Sequence, residues 1–133
     1  MIILDTHTLV WMDEGNTRLG QKSRKLIDKG LRNEEVAVSS ISFWEIAMLI
    51  QKKRLSLSQP VSQWMQDLLQ QGLNEIAVTG GIGIIASELE NFHGDPADRM
   101  IMATAIAHSA TLVTADTNIL KWKGQIQRHD AGT

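Results

Sequence analysis

The sequence of 133 residues contains no cysteine. It can therefore form no disulfide, no zinc–thiolate site and no thiol nucleophile, so any metal must be bound by oxygen or imidazole ligands. Long apolar runs are also missing, and none reaches the roughly 20 residues that a membrane-spanning helix needs. Nor is there an excess of positive charge, since 13 basic and 15 acidic residues give a formal net charge of -2. A nucleic acid would have to be bound by local patches.

The composition is that of a globular protein. Hydrophobic residues make up 43% and charged residues 21% of the chain, so we expect one domain over residues 1–133. The N-terminal "MIIL" runs directly into Asp5 without a basic leader or a signal-peptide core. This favours a cytoplasmic location.

Short β-branched segments alternate with amphipathic helical patterns along the chain. The pattern predicts strands over residues 1–4, 35–41, 75–80 and 111–115. It predicts helices over roughly 17–31, 42–54, 61–71, 82–91 and 96–109. Such alternation is typical of an α/β fold with a mostly parallel central sheet. Ligands of open α/β sheets bind beyond the carboxyl ends of the strands, so polar side chains at those positions are candidates for a functional site.

Four carboxylates interrupt the apolar pattern at such positions. They are Asp5 after the first strand, Glu45 after the second, Asp98 at the start of a helix and Asp116 after the last predicted strand. If these acids converge at one edge of the sheet, they raise one another's pKa unless a cation neutralises them. An oxygen-only site favours Mg²⁺ or Mn²⁺. The four acids therefore predict metal-assisted hydrolysis of a phosphate ester.

Each of these acids also has a purely structural interpretation. The segment from Ser42 to Glu45, "SFWE", fits the S-x-x-E capping box of a helix N-terminus. Asp5 and Asp116 could cap the short elements that follow them. What favours a metal site is the shared position of the acids at the sheet edge.

The segment "HGDPADRM" has two acids with different expected roles. Asp95 is placed as an N-cap, Pro96 suits the first helical position, and Asp98 falls in the first turn, where negative charge offsets the helix dipole. Asp95 is therefore predicted to act mainly as a cap. Asp98 can direct its oxygens toward a ligand beyond the sheet.

The motifs resemble those of the PIN-domain ribonucleases, and within them the VapC-like toxins of bacterial and archaeal toxin–antitoxin systems. The resemblance spans nearly the whole chain through "LDTHTLVW", "SSISFWEIA", "HGDPADRMIMATA" and "LVTAD". It implies a three-layer α/β/α fold, an RNA substrate, a homodimer and an antitoxin whose tail blocks the cleft. It also implies that Mg²⁺ or Mn²⁺ is held by Asp5, Asp98 and Asp116, while Glu45 either binds the metal or positions the attacking water.

Neighbouring residues receive supporting roles on the same resemblance. Thr6 and Thr114 are candidates to hydrogen-bond the ligand carboxylates, and Arg99 to bind a phosphate or pair with an acid. The chain departs from the resemblance at Lys53 in "QKKRL", where relatives often have glycine. This difference concerns a helix end and leaves the acids unaffected.

Two other functions are compatible with parts of the sequence. A haloacid dehalogenase-like phosphatase is suggested by "ILDTHTL", but His7 stands where its second aspartate, the general acid, is required. A non-catalytic PIN-like module would bind RNA or a protein without cutting. The complete set of acids favours the nuclease, and loss of RNA cleavage in EDTA would distinguish it from the binding module.

Overall fold

The computed structural model describes all of residues 1–133 and contains five strands and seven helices. The strands are β1 (Ile2–Leu4), β2 (Val36–Ser39), β3 (Asn74–Ile76), β4 (Thr111–Thr114) and β5 (Gln127–Asp130). The helices are α1 (Thr6–Glu14), α2 (Gln21–Arg32), α3 (Ser40–Gln51), α4 (Val61–Gln70), α5 (Gly80–Ser87), α6 (Pro96–Ala107) and α7 (Thr117–Lys121). All four predicted strands and all five predicted helices are present, with ends displaced by a few residues. No helix combines the length and apolar content that crossing a membrane requires.

The five strands form one sheet in the order β3-β2-β1-β4-β5. Every neighbouring pair is parallel, which confirms the predicted parallel sheet. The chain builds outward from β1 to β3 and then returns to the other side of β1 with β4. The strand order therefore reverses between β1 and β4, and a crevice forms at such a point beyond the carboxyl ends of the strands.

Helices cover both faces of the sheet. Leu4 and Val113 point to one face, where they pack in a cluster with residues of α1, α2, α3 and α4. Ile3 and Leu112, their neighbours along the strands, point to the other face and pack with α6 and α7. All four side chains are fully buried. The predicted three-layer α/β/α architecture is thus confirmed, and the apolar strand sequences follow from burial on both faces.

Three short elements were not predicted from the sequence. The helix α1 begins directly at its N-cap Asp5 and ends at Gly15, which adopts the left-handed conformation with φ 64°. The helix α7 has only five residues. The strand β5, "QRHD", is a polar edge strand that pairs only with β4. The sequence of α1 lacks the hydrophobic periodicity of an amphipathic helix, and that of β5 lacks the apolar alternation of a strand.

Candidate active site

A cavity of about 420 Å³ opens beyond the carboxyl ends of β1 and β4. It is lined by Asp5, Thr6, His7, Trp11, Glu45, Asp95, Asp98, Ala115 and Asp116. All four predicted acids therefore line one cavity, and Asp95 is a fifth acid beside them. No lysine or arginine is among the lining residues. The convergence of the acids is a property of the fold, whereas their role as metal ligands stays a prediction.

Asp5 is buried and held by two hydrogen bonds. As N-cap of α1, its Oδ1 accepts from the backbone N–H of Thr8 at 2.9 Å. Its Oδ2 accepts from the hydroxyl of Thr114 at the end of β4. The predicted contact between Thr114 and a site carboxylate is therefore confirmed. Asp5 both caps a helix and lines the cavity, so its capping role is compatible with the predicted role as a metal ligand.

The hydroxyl of Thr114 also holds the backbone of Asp116 in place. Its backbone N–H donates to Oγ1 of Thr114 at 3.0 Å. As N-cap of α7, its Oδ1 accepts from the N–H groups of Asn118 at 2.8 Å and Ile119 at 3.4 Å. These bonds leave Oδ2 of Asp116 uninvolved, and the cap directs the carboxylate to the cavity.

The capping-box interpretation of Glu45 is wrong. The helix α3 begins earlier than predicted, directly after its N-cap Ser39, so Glu45 lies in the second turn. Ser42 lies inside the helix, and its Oγ accepts from the hydroxyl of Thr6 at 3.0 Å. Thr6 thus contacts another hydroxyl and not a carboxylate, which corrects its predicted role. Glu45 is left half-buried at the cavity with no capping function.

The start of α6 places two acids close together. Oδ1 of Asp95 accepts from the backbone N–H of Asp98 at 2.8 Å, with Pro96 at the first helical position, as predicted. The pKa of Asp98 is raised from its usual 3.8 to about 7. Burial is the largest cause, followed by the negative charges of Asp95, Asp116, Glu45 and Asp5. The cavity therefore concentrates negative charge that a cation would relieve.

The donor set fits a hard divalent cation. Carboxylate oxygens are the ligands that Mg²⁺ and Mn²⁺ prefer, and no basic side chain competes in the lining. In this structure, however, no group of three or more acidic or histidine side chains is arranged to hold a metal ion. Asp5 and Asp116 are fixed by their cap hydrogen bonds, whereas Glu45 and Asp98 take part in none of those bonds.

Arg99 has neither of its two predicted roles. Its guanidinium donates to the backbone carbonyls of Ala86 at 3.0 Å, Leu89 at 3.0 Å and Phe92 at 2.8 Å. The arginine therefore fixes the segment that leads into α6. It positions Asp95 and Asp98 indirectly, through the backbone, and is not available to a phosphate in this arrangement.

Sequence reasoning missed two cavity residues, His7 and Trp11. Both lie on α1, four residues apart, and so on one face of that helix. The spacing could have revealed them only if α1 had been recognised as a helix. His7 is exposed and Trp11 half-buried, so both are accessible to a ligand in the cavity.

The fold and the cavity together define a class of protein: a three-layer α/β/α domain with an acidic site at the switch point of a parallel sheet. The family model described as "PIN domain" matches residues 2–124. The chain belongs to the PIN domain family. This membership, with the absence of a lysine from the cavity lining, argues against the phosphatase alternative.

Individual relatives agree with this assignment. "Ribonuclease VapC22" from Mycobacterium tuberculosis is 35% identical over 119 residues, covering 89% of this chain and 88% of that protein. The structure of VapBC2 from Rickettsia felis bound to a DNA fragment matches with a TM-score of 0.71 at 22% identity, over 98% of this chain and 100% of that chain. DNA-bound VapBC from Salmonella typhimurium matches with a TM-score of 0.72 at 17% identity, over 98% and 97%. At these identities the two structures support the fold alone.

Proposed function

We propose that this protein is a metal-dependent endoribonuclease that acts as the toxin of a toxin–antitoxin pair. Membership of the PIN domain family and a ribonuclease relative at 35% identity support the activity. The observation that carries the proposal is that four acids, far apart in sequence, line one cavity at the sheet edge.

The same four acids are proposed to hold the metal, namely Asp5, Glu45, Asp98 and Asp116. Ribonucleases of this family generally depend on a divalent metal, and the all-oxygen donor set favours Mg²⁺ or Mn²⁺. When bound, such a cation supplies charge stabilisation at the phosphate and lowers the pKa of the attacking water.

The remaining chemistry is assigned to the protein's own side chains. A water oxygen attacks phosphorus, the bond between phosphorus and O3′ breaks, and the departing O3′ takes up a proton from solvent water, so that the products carry a 5′-phosphate and a 3′-hydroxyl. Glu45, which is free of cap hydrogen bonds, either joins the metal ligands or orients the water and accepts its proton. Asp5 keeps its orientation through the hydroxyl of Thr114, which also fixes the backbone of Asp116.

An antitoxin is the proposed protein partner. The similar solved structures include a "Toxin-antitoxin complex from Klebsiella pneumoniae", 20% identical over 98% of this chain. By resemblance to VapC-like toxins, an antitoxin segment would block the acidic cavity, and the active toxin would be a cytoplasmic homodimer. A small reading frame directly upstream that encodes a DNA-binding protein, and whose product co-purifies with this chain, would support the pairing.

The activity is tested by incubating the purified protein with structured RNAs in Mg²⁺ or Mn²⁺ and analysing the product ends. We expect cleavage that EDTA abolishes, products with 5′-phosphates, and no cleavage by Asp98→Asn. Products ending in 2′,3′-cyclic phosphate, or cleavage that persists in EDTA, would contradict the mechanism. RNA binding without cleavage under every metal condition would identify the non-catalytic module instead.

A further inference from the structure

A second, larger cleft lies near the acidic cavity. It encloses about 720 Å³ between the segment 88–93 and the residues 121–124 at the end of α7. Asn118 also lines it, and the backbone N–H of Asn118 is bonded to the carboxylate of Asp116. On the other side His93 lines the cleft, two residues before Asp95 of the cavity. The two concavities are therefore lined by neighbouring residues in two places, at 93–95 and at 116–118.

The walls of this cleft are held in place by hydrogen bonds. One wall carries the carbonyls of Leu89 and Phe92, both of which accept hydrogen bonds from Arg99. The indole Nε1 of Trp122 on the other wall donates to the carbonyl of Glu90 at 2.8 Å, joining the two walls. Gly124 passes so close to this indole that an added Cβ would lie 2.1 Å from its ring. The cleft is thus preformed and does not depend on a ligand for its shape.

The lining combines aromatic surface with positive charge. Half-buried Trp122 supplies the accessible aromatic surface, since Phe92 beneath the cleft is buried in the core, and the exposed side chains of Lys121 and Lys123 flank the indole. Sites for single-stranded nucleic acid have this composition, with bases on aromatic side chains and the backbone along cations. Glu88 and Glu90 on the opposite wall repel phosphate, which leaves the lysine side for the backbone.

From this arrangement we infer that the cleft is a subsite for single-stranded RNA, which binds the nucleotides flanking the scissile phosphate. A base lies against the indole of Trp122, and the neighbouring phosphates contact Lys121 and Lys123. The inference rests on the proposed ribonuclease function, and it explains how a chain with a net charge of -2 holds a polyanion beside five acids.

The test compares two double variants with the same change of charge. Lys121→Gln/Lys123→Gln removes the cations of the cleft, and Lys25→Gln/Lys29→Gln removes two exposed cations from α2 on the opposite layer. Each is combined with Asp98→Asn to prevent cleavage. Binding of a fluorescently labelled single-stranded RNA of mixed sequence is then measured by anisotropy in EDTA as salt is raised.

We expect the cleft variant to weaken RNA binding about tenfold at low salt. The slope of log Kd against log salt should fall by about 0.7 for each phosphate that a lysine no longer neutralises. The α2 variant should bind as the parent does. Equal effects of the two variants, or no effect of the cleft variant, would overturn the inference that the cleft binds RNA.

A second measurement reports on the cleft directly. The indole N–H signal of Trp122, assigned with Trp122→Phe, should shift when RNA is added. The indole of Trp64, which is buried in the opposite layer and donates to Asp13, is the internal reference and should not move. An unmoved Trp122 signal at saturating RNA would contradict the subsite.

Failure of the subsite can be distinguished from failure of the proposed function. Metal-dependent RNA cleavage by the wild-type protein, together with an unaffected cleft variant, would refute the subsite alone. RNA binding through Lys121 and Lys123 without cleavage under any metal condition would refute the nuclease and retain the subsite.

Discussion

The hydroxyl of Thr114 donates a hydrogen bond to Oδ2 of Asp5, joining two residues that are 109 positions apart in the sequence. The same hydroxyl accepts from the backbone N–H of Asp116 at 3.0 Å. One fully buried oxygen therefore sets the relative placement of two of the four proposed metal ligands. This arrangement links the end of β1 to the end of β4.

Replacing Thr114 with valine tests that link. Thr114→Val keeps the shape of the side chain but removes both hydrogen bonds, so we expect unfolding free energy to fall by about 1–3 kcal/mol. RNA cleavage should fall strongly because Asp5 and Asp116 lose their common support. Urea unfolding and cleavage rates with Mn²⁺ provide the measurements.

The matched control is Thr104→Val, at another fully buried threonine. Its hydroxyl donates to the carbonyl of Met100 within α6, away from the cavity lining. This variant should retain cleavage. Equal loss of activity in both variants would show that Thr114 acts through general stability only.

The two acids at the start of α6 should respond differently to substitution. Asp95→Ala removes the N-cap and should cost about 1 kcal/mol of stability. Asp98→Asn should nearly abolish cleavage and weaken Mn²⁺ binding without lowering the melting temperature. Melting temperature, Mn²⁺ affinity and cleavage rate are measured for both. Full activity in Asp98→Asn, combined with abolished metal binding in Asp95→Ala, would reverse the assignment.

Stability in EDTA should depend on pH through Asp98. Its folded-state pKa of about 7 exceeds the usual 3.8 of the unfolded chain, so the native state retains a proton that the unfolded state loses between these values. Unfolding free energy should therefore fall as pH rises from about 4 to about 7 and level off above that. Asp98→Asn should remove this decline. An identical pH profile in the variant, measured by urea unfolding, would assign the effect to other groups.

Mn²⁺ affinity should rise over the same pH interval. The metal competes with the proton on Asp98 below the pKa of about 7, so binding should release a proton there and become independent of pH above it. Calorimetric titration in buffers of different ionisation enthalpy measures this proton release. Metal binding without proton release at pH 6 would exclude Asp98 as a ligand.

Lys53 allows a test of stability that is separate from the site. It follows the last residues of α3 with φ 58°, and the N–H of Arg54 donates to the carbonyl of Leu49 at 2.9 Å. This is a Schellman C-terminus, in which glycine is favoured at the left-handed position. Lys53→Gly should therefore stabilise the protein by about 1 kcal/mol, with cleavage unchanged. The control Lys52→Gly, at φ -83°, should destabilise, and a thermal melt distinguishes the two.

The sequence by itself predicted the elements that carry strong periodicity. The strands β1, β2 and β4 are buried on both faces, so their apolar β-branched runs were unambiguous. The capping role of Asp95 was also recognisable, because cap chemistry is local, whereas the glycine expected at position 53 came from the family resemblance. The positions of Asp5, Asp98 and Asp116 after strands or at a helix start could be read in the same way.

Only the tertiary structure decided which of the local alternatives held. Whether Glu45 belonged to a capping box depended on where α3 begins, and that start is set by Ser39 leaving β2, not by the S-x-x-E pattern. The role of Arg99 depended on carbonyls that the loop before α6 brings to it. The polar strand β5 exists because the edge of β4 offers backbone partners, and its own side chains give no signal. Periodicity and caps act over a few residues, whereas hydrogen bonds such as that from Thr114 to Asp5 join positions that only the completed sheet brings together.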